Sequence, residues 1–134
     1  MEIRIRFPGG KKVAADFGGY TVMTDQPKAT GGDATAPSPF DLFLASIGTC
    51  AGLFVHSFCR RRGISTDGLE LVELVDWDDD DHRVSGITLD IVLPDGFPDH
   101  YRDAIVEAAS LCTVKKHLLK PPAFEIRTSV RAAV

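Results

Sequence analysis

The chain predicts an α+β domain with the element order βββ-α-ββ-α-β. Short runs of alternating apolar and polar residues, bounded by Gly and Pro, occupy the start, the middle and the end. Two longer segments instead carry helix caps or helical spacing. The strands come in consecutive groups rather than alternating one by one with helices, which points to antiparallel hairpins with segregated helices. At 134 residues the chain forms one domain, residues 1–134.

Ile3, Ile5 and Phe7 alternate with Glu2, Arg4 and Arg6, as in a half-buried strand. Pro8-Gly9-Gly10 turns it, and Lys11 to Phe17 and Tyr20 to Thr24 form two further strands around Gly18-Gly19. Residues 25–37, rich in Gly, Ala, Thr, Pro and Asp, form a loop. A long helix follows. Ser38 is a suitable N-cap, Pro39 fits the first helical position, and Asp41 stands where a capping box places its acid. Arg60-Arg61-Arg62 complements the negative end of the helix dipole, and Gly63 supplies the stop. Strands are expected over Leu69 to Asp76 and Ile87 to Leu93, joined by an acidic connection. Tyr101, Ala104, Ile105, Ala108, Leu111 and Cys112 share one helical face. Pro121-Pro122 ends that helix, and Phe124, Ile126 and Val130 mark a final strand.

The composition excludes several classes. Hydrophobic content of 44% suffices for a core, and 25% charged residues do not indicate disorder. A net charge of −4 lacks the basic stripe of a nucleic-acid binder. Three widely spaced cysteines are not a disulfide scaffold. The charged, alternating N-terminus reads as a strand rather than a signal peptide, and the expected location is cytoplasmic. Leu42 to Phe58 is apolar on most sides, but it is shorter than the about 20 residues of a bilayer span and contains Ser46, Thr49, His56 and Ser57. A buried core helix is therefore expected, with no membrane partner.

The thiols carry the chemistry. Cys50 lies in the apolar helix, where burial disfavours a thiolate; Cys112 lies beside Lys115, Lys116 and His117, where cations favour one. Cys59 lies nine residues beyond Cys50, a rise of roughly 13 Å along a helix. A disulfide needs Cα atoms within about 7 Å, so any intrachain bridge involves Cys112. Cys59 reads as a small core residue. Cys112 has two readings. At the C-terminal end of an unbroken helix the dipole opposes a thiolate; with a break there and a new turn from Thr113 to Leu119, the dipole favours one. No CxxC or HxxxH spacing is present, so no metal is expected, and the run from Asp76 to Asp81 lacks calcium-loop spacing.

Gly31-Gly32-Asp33-Ala34-Thr35-Ala36-Pro37-Ser38-Pro39-Phe40-Asp41-Leu42, then Cys50, then Leu111-Cys112-Thr113-Val114, resembles the OsmC/Ohr family of osmotically inducible and organic hydroperoxide resistance proteins. The resemblance implies an intertwined homodimer with central cysteine-bearing helices. It implies thiol peroxidase chemistry, with Cys50 and Cys112 as the catalytic pair and an organic hydroperoxide as substrate. No bound cofactor is implied; the reductant would be an external dithiol, often of lipoyl type. Phe40, Ile47, Leu53 and Phe54 are candidates for an apolar substrate pocket. The family places an arginine over the reactive thiol and a glutamate behind it. Here Lys11, Lys12 and Asp41 are the candidates for those roles, since Phe40 occupies the glutamate position. Lysine lacks the guanidinium fork, so the exchange is not conservative. The alternative function on the same fold is a redox-sensing or small hydrophobic ligand-binding dimer with little turnover.

Overall fold

The computed structural model describes residues 1–132. Strands β1 (Arg4–Gly9), β2 (Lys12–Phe17) and β3 (Tyr20–Thr24) form an antiparallel sheet in that order. Helix α1 (Pro39–Arg61) follows, then the hairpin β4 (Glu70–Asp78) and β5 (Arg83–Val92), then helices α2 (Arg102–Ser110) and α3 (Thr113–Leu119). Gly18 and Gly19, with φ of 55° and 83°, make the two-residue turn that pairs Phe17 with Tyr20. Both positions demand φ > 0, which suits the right-handed strand twist of a hairpin.

The caps of α1 form as expected. Ser38 Oγ accepts the Asp41 N–H at 3.2 Å, and Asp41 Oδ2 accepts the Ser38 N–H at 2.8 Å. At the far end Gly63, φ 65°, lets its own N–H reach Arg60 O and the Ile64 N–H reach Cys59 O. Those two bonds satisfy carbonyls that the helix end would otherwise leave open. At 23 residues α1 also has the length and apolarity of a bilayer span. It nevertheless supplies Val55, Phe58 and Cys59 to a core completed by Phe97 and by Ile105 and Ala109 of α2. Leu69, Leu71, Ile91 and Leu93 of the β4–β5 hairpin and its flanks close that core.

Three expectations are corrected. The strand expected over Phe124 to Val130 does not form: residues 121–132 adopt no regular element, and Phe124 and Ile126 are exposed. Alternation makes a strand only where an edge accepts its ladder of hydrogen bonds, and the chain provides none there. β1 is not half-buried, since Ile5 is 52% and Phe7 81% exposed. Its apolar row meets no layer of its own chain. The second helix is not continuous; it breaks at Leu111-Cys112 into α2 and α3.

Candidate active site

Helix α1 carries Cys50 on its α3-facing side, half-buried. The break between α2 and α3 carries Cys112, fully buried. Cys112 is the N-cap of α3, and its Sγ accepts the Lys115 N–H at 3.4 Å, as a serine oxygen would. Cys112 Sγ also faces Ile47 O at 3.9 Å, which ties the thiol to the turn of α1 before Cys50. The Cys112 side chain is close enough to Cys50 to help lower its thiol pKa. Both thiols are free.

The start of α3 faces Cys50. The Val114 N–H is the main cause that holds the Cys50 thiol below its ordinary pKa. Burial opposes this, and the Cys112 thiol, the Thr113 N–H and the Thr113 hydroxyl add to the lowering. The first N–H groups of a helix lack partners within it, and they stabilise a negative atom at that end. The Lys115 N–H donates to Cys112 Sγ, and the Thr113 and Val114 N–H groups at the same helix start lower the Cys50 thiol pKa. Of the two readings of Cys112, the break is the one that forms, and its favourable donors act chiefly on Cys50.

Among the described residues no cation contributes to this lowering. Lys12 pairs with Asp33, and Lys11 is exposed with its aliphatic stem along Gly31. Asp41 is committed to Ser38 in the capping box. Lys12 and Asp41 are therefore engaged by local partners, and none of the three candidates is among the groups that lower the Cys50 thiol pKa. The pocket candidates also separate. Ile47 is buried, Leu53 and Phe54 line a groove between α1 and α2, and Phe40 lines a second cleft with Phe43, Trp77 and Leu118.

Cys59 is fully buried in the core, and burial pushes its thiol pKa up, as expected of a structural cysteine. His117 Nδ1 lies 2.8 Å from Thr113 O, one turn back on α3, and His56 is exposed. Among the described residues no cluster of three His, Cys, Asp or Glu side chains could hold a metal.

Two contributors escaped the sequence reading. The Thr113 and Val114 N–H groups act through backbone, which no residue type announces. Glu73 occupies the inward parity of β4 between Leu71 and Val75, and its Oε1 is buried without a partner. A charged residue on an apolar face was its signal. Its Oε2 lies so close to α1 that a Cβ on Gly48 would stand 2.5 Å away.

The profile of the OsmC-like protein family matches residues 31–127, which include Cys50, Cys112 and all of α1, β4, β5, α2 and α3. No curated protein matches the chain. Among solved structures, an osmotic stress induced and detoxification response protein from Psychrobacter arcticus 273-4 is similar, with 23% identity and a TM-score of 0.68 over 85% of each chain. An organic hydroperoxide resistance protein OsmC from Legionella pneumophila is also similar, with 18% identity and a TM-score of 0.52. That match covers 88% of this chain and 89% of the other. At such identities the structures speak to the fold, while the profile covers more than half of the chain with the thiol pair inside it. The chain belongs to the OsmC-like family.

Proposed function

We propose that the protein is a thiol-dependent peroxidase that reduces organic hydroperoxides to alcohols. The observation that carries this reading is the meeting of Cys50 and Cys112 at the start of α3, with donors that favour a Cys50 thiolate. The Cys50 thiolate attacks the distal oxygen of the hydroperoxide. The O–O bond breaks, the alkoxide leaves and takes a proton to become the alcohol, and Cys50 becomes a sulfenic acid. The Cys112 sulfur then attacks the sulfenic sulfur, water departs, and a Cys50–Cys112 disulfide forms. An external dithiol, lipoyl-type in our reading, restores both thiols by exchange and is itself oxidised to a disulfide.

A homodimer fits the surface. Folded monomers of 14.5 kDa expose about 6,900 Å² by the usual mass scaling, whereas this chain exposes 10447 Å². The excess of roughly 3,500 Å² per chain, about 7,000 Å² for two chains, is more than enough for the 2,000–5,000 Å² or more that an obligate interface buries in total. The uncovered row of β1 and the strand-like residues Phe124 and Ile126 belong to this excess. Sedimentation at micromolar concentration should return a dimer mass.

One observation favours the slower alternative, a redox-sensing or ligand-binding dimer: among the described residues no cation helps to lower the Cys50 thiol pKa. Both readings are tested by adding an alkyl hydroperoxide to the reduced protein and mapping thiols by mass spectrometry. The peroxidase forms a Cys50–Cys112 disulfide within seconds, and Cys50→Ser abolishes it. Thiols that stay free, or a disulfide that accumulates without turnover when a dithiol is supplied, would sink the enzyme.

A further inference from the structure

The Cys112 sulfur joins two helices. As the N-cap of α3 it accepts the Lys115 N–H at 3.4 Å, and as a thiol donor it faces Ile47 O of α1 at 3.9 Å. α3 has little else to hold it. It is seven residues long, and among those residues, all described, none is buried. A helix this short is marginal by itself, so its cap and its packing sustain it. Its packing is chiefly against α1. At its far end Leu118 and Leu119 form one wall of the cleft that Phe40, Phe43 and Trp77 also line.

Disulfide formation changes both contacts of the Cys112 sulfur at once. This step rests on the Cys50–Cys112 bridge of the peroxidase reading. Two thiols give up their hydrogens, the hydroperoxide is reduced to the alcohol and water, and one S–S bond forms. Cys112 then has no S–H to offer Ile47 O. Its sulfur is also bound by the strict geometry of a disulfide, so it follows Cys50 rather than the Lys115 N–H. The first turn of α3 thereby loses the acceptor that stood in for a preceding helical turn. The bridge anchors residue 112 itself to α1, so the segment set loose is the one after it, Thr113 to Leu119.

We propose that the Cys50–Cys112 disulfide uncaps α3 and releases its Leu118–Leu119 wall from the Trp77 cleft. The thiol form fastens α3 to α1, and the disulfide form undoes the fastening. The oxidised chain therefore presents a different apolar surface at this cleft from the reduced one. The oxidation state of one fully buried and one half-buried sulfur acquires a readout on the outside of the molecule.

Hydrogen exchange of the full chain, read by mass spectrometry, tests the switch together with Trp77 fluorescence. Trp77 is the one tryptophan of the chain, so its emission reports the cleft alone. Reduced protein is compared with protein oxidised by tert-butyl hydroperoxide and, in parallel, by diamide, whose N=N bond takes up the two thiol hydrogens. In the bridged protein the amides of Thr113 to Leu119 should exchange at least threefold faster, while those of Leu42 to Phe58 are unchanged. Trp77 emission should move to longer wavelength. Cys112→Ala should show the fast α3 exchange while still reduced. Cys112→Ser keeps a capping oxygen and forms no bridge, so its α3 should exchange slowly with or without oxidant. A bridged protein whose α3 exchanges no faster, a reduced Cys112→Ala protein with α3 as protected as in the parent, or a Cys112→Ser protein loosened by oxidant would each overturn the proposal. So would failure of both oxidants to form the bridge. A bridge formed by the hydroperoxide without faster α3 exchange removes the switch and leaves the peroxidase reading. A bridge formed only by diamide, with faster α3 exchange, does the reverse.

Discussion

Replacing Glu73 by Met should make this protein more stable at neutral pH. Glu73 projects from β4 toward α1 between Leu71 and Val75, with Oε1 buried and unpartnered. Burial pushes its carboxyl pKa up, and the Gly48 backbone N–H opposes this only in part. A buried polar atom without a partner costs about 1–3 kcal/mol. Met has similar length, is apolar and adapts to irregular space. The expected gain is therefore about 1–3 kcal/mol at pH 7.5, and each kcal/mol moves the Tm of a chain this long by about 3–6 °C. The native state holds the Glu73 proton to higher pH than the unfolded chain does. Its destabilising effect is thus absent below the unfolded pKa of about 4.3 and complete above the raised native pKa. The advantage of Met should shrink as pH falls toward 4. Thermal and urea denaturation at fixed protein concentration, at pH 7.5 and pH 4, measure both parts. Glu73→Gln should gain less, because the amide brings two polar ends to the same place. A Glu73→Met protein less stable than the parent at pH 7.5 refutes the reasoning and means that the carboxylate has a partner outside its own chain.

Other outcomes follow from the same structure. Cys112→Ser should leave Cys50 oxidised to the sulfenic acid after one equivalent of hydroperoxide, trapped by a dimedone-type reagent and seen as its mass adduct; absence of the adduct counts against Cys112 as the resolving thiol. Asp25 is fully buried and accepts the Thr35 N–H and hydroxyl and the Gln26 N–H, which hold its pKa down at about 2. Its depressed native pKa contributes stability that is present above the unfolded value of about 3.9 and is lost as pH falls through about 2. Asp25→Asn should therefore lower stability at pH 7 and flatten the acid-unfolding profile between pH 4 and pH 2, as followed by circular dichroism. Ile105→Ala empties a fully buried site packed among Val55, Phe58 and Cys59, and should cost about 2–5 kcal/mol in urea denaturation. Ser38→Ala removes the N-cap of α1 and should cost about 1 kcal/mol.

Local chemistry was legible in the sequence because it is carried by near neighbours. The capping box of Ser38 and Asp41, the Gly63 stop and the Gly18-Gly19 hairpin each depend on residues within a few positions of one another, and each forms as read. The exclusion of Cys59 as a partner of Cys50 followed from helix geometry, and its place in the core from the small apolar character of a free cysteine. Only the tertiary structure decided what activates Cys50. Lys11, Lys12 and Asp41 were sensible candidates by charge, yet Asp33 and Ser38 compete for Lys12 and Asp41 at short range. The groups that do face Cys50 are backbone N–H groups at a helix start, and every residue type carries those. The break at Cys112 was one of two readings open in the sequence, and the structure shows that it forms. The burial of Glu73 depends on β4 meeting α1: parity placed the side chain inward, and the close approach of Gly48 covers it. Sequence patterns report the period and the ends of an element; which donors meet which sulfur depends on how distant elements pack, and no local pattern encodes that.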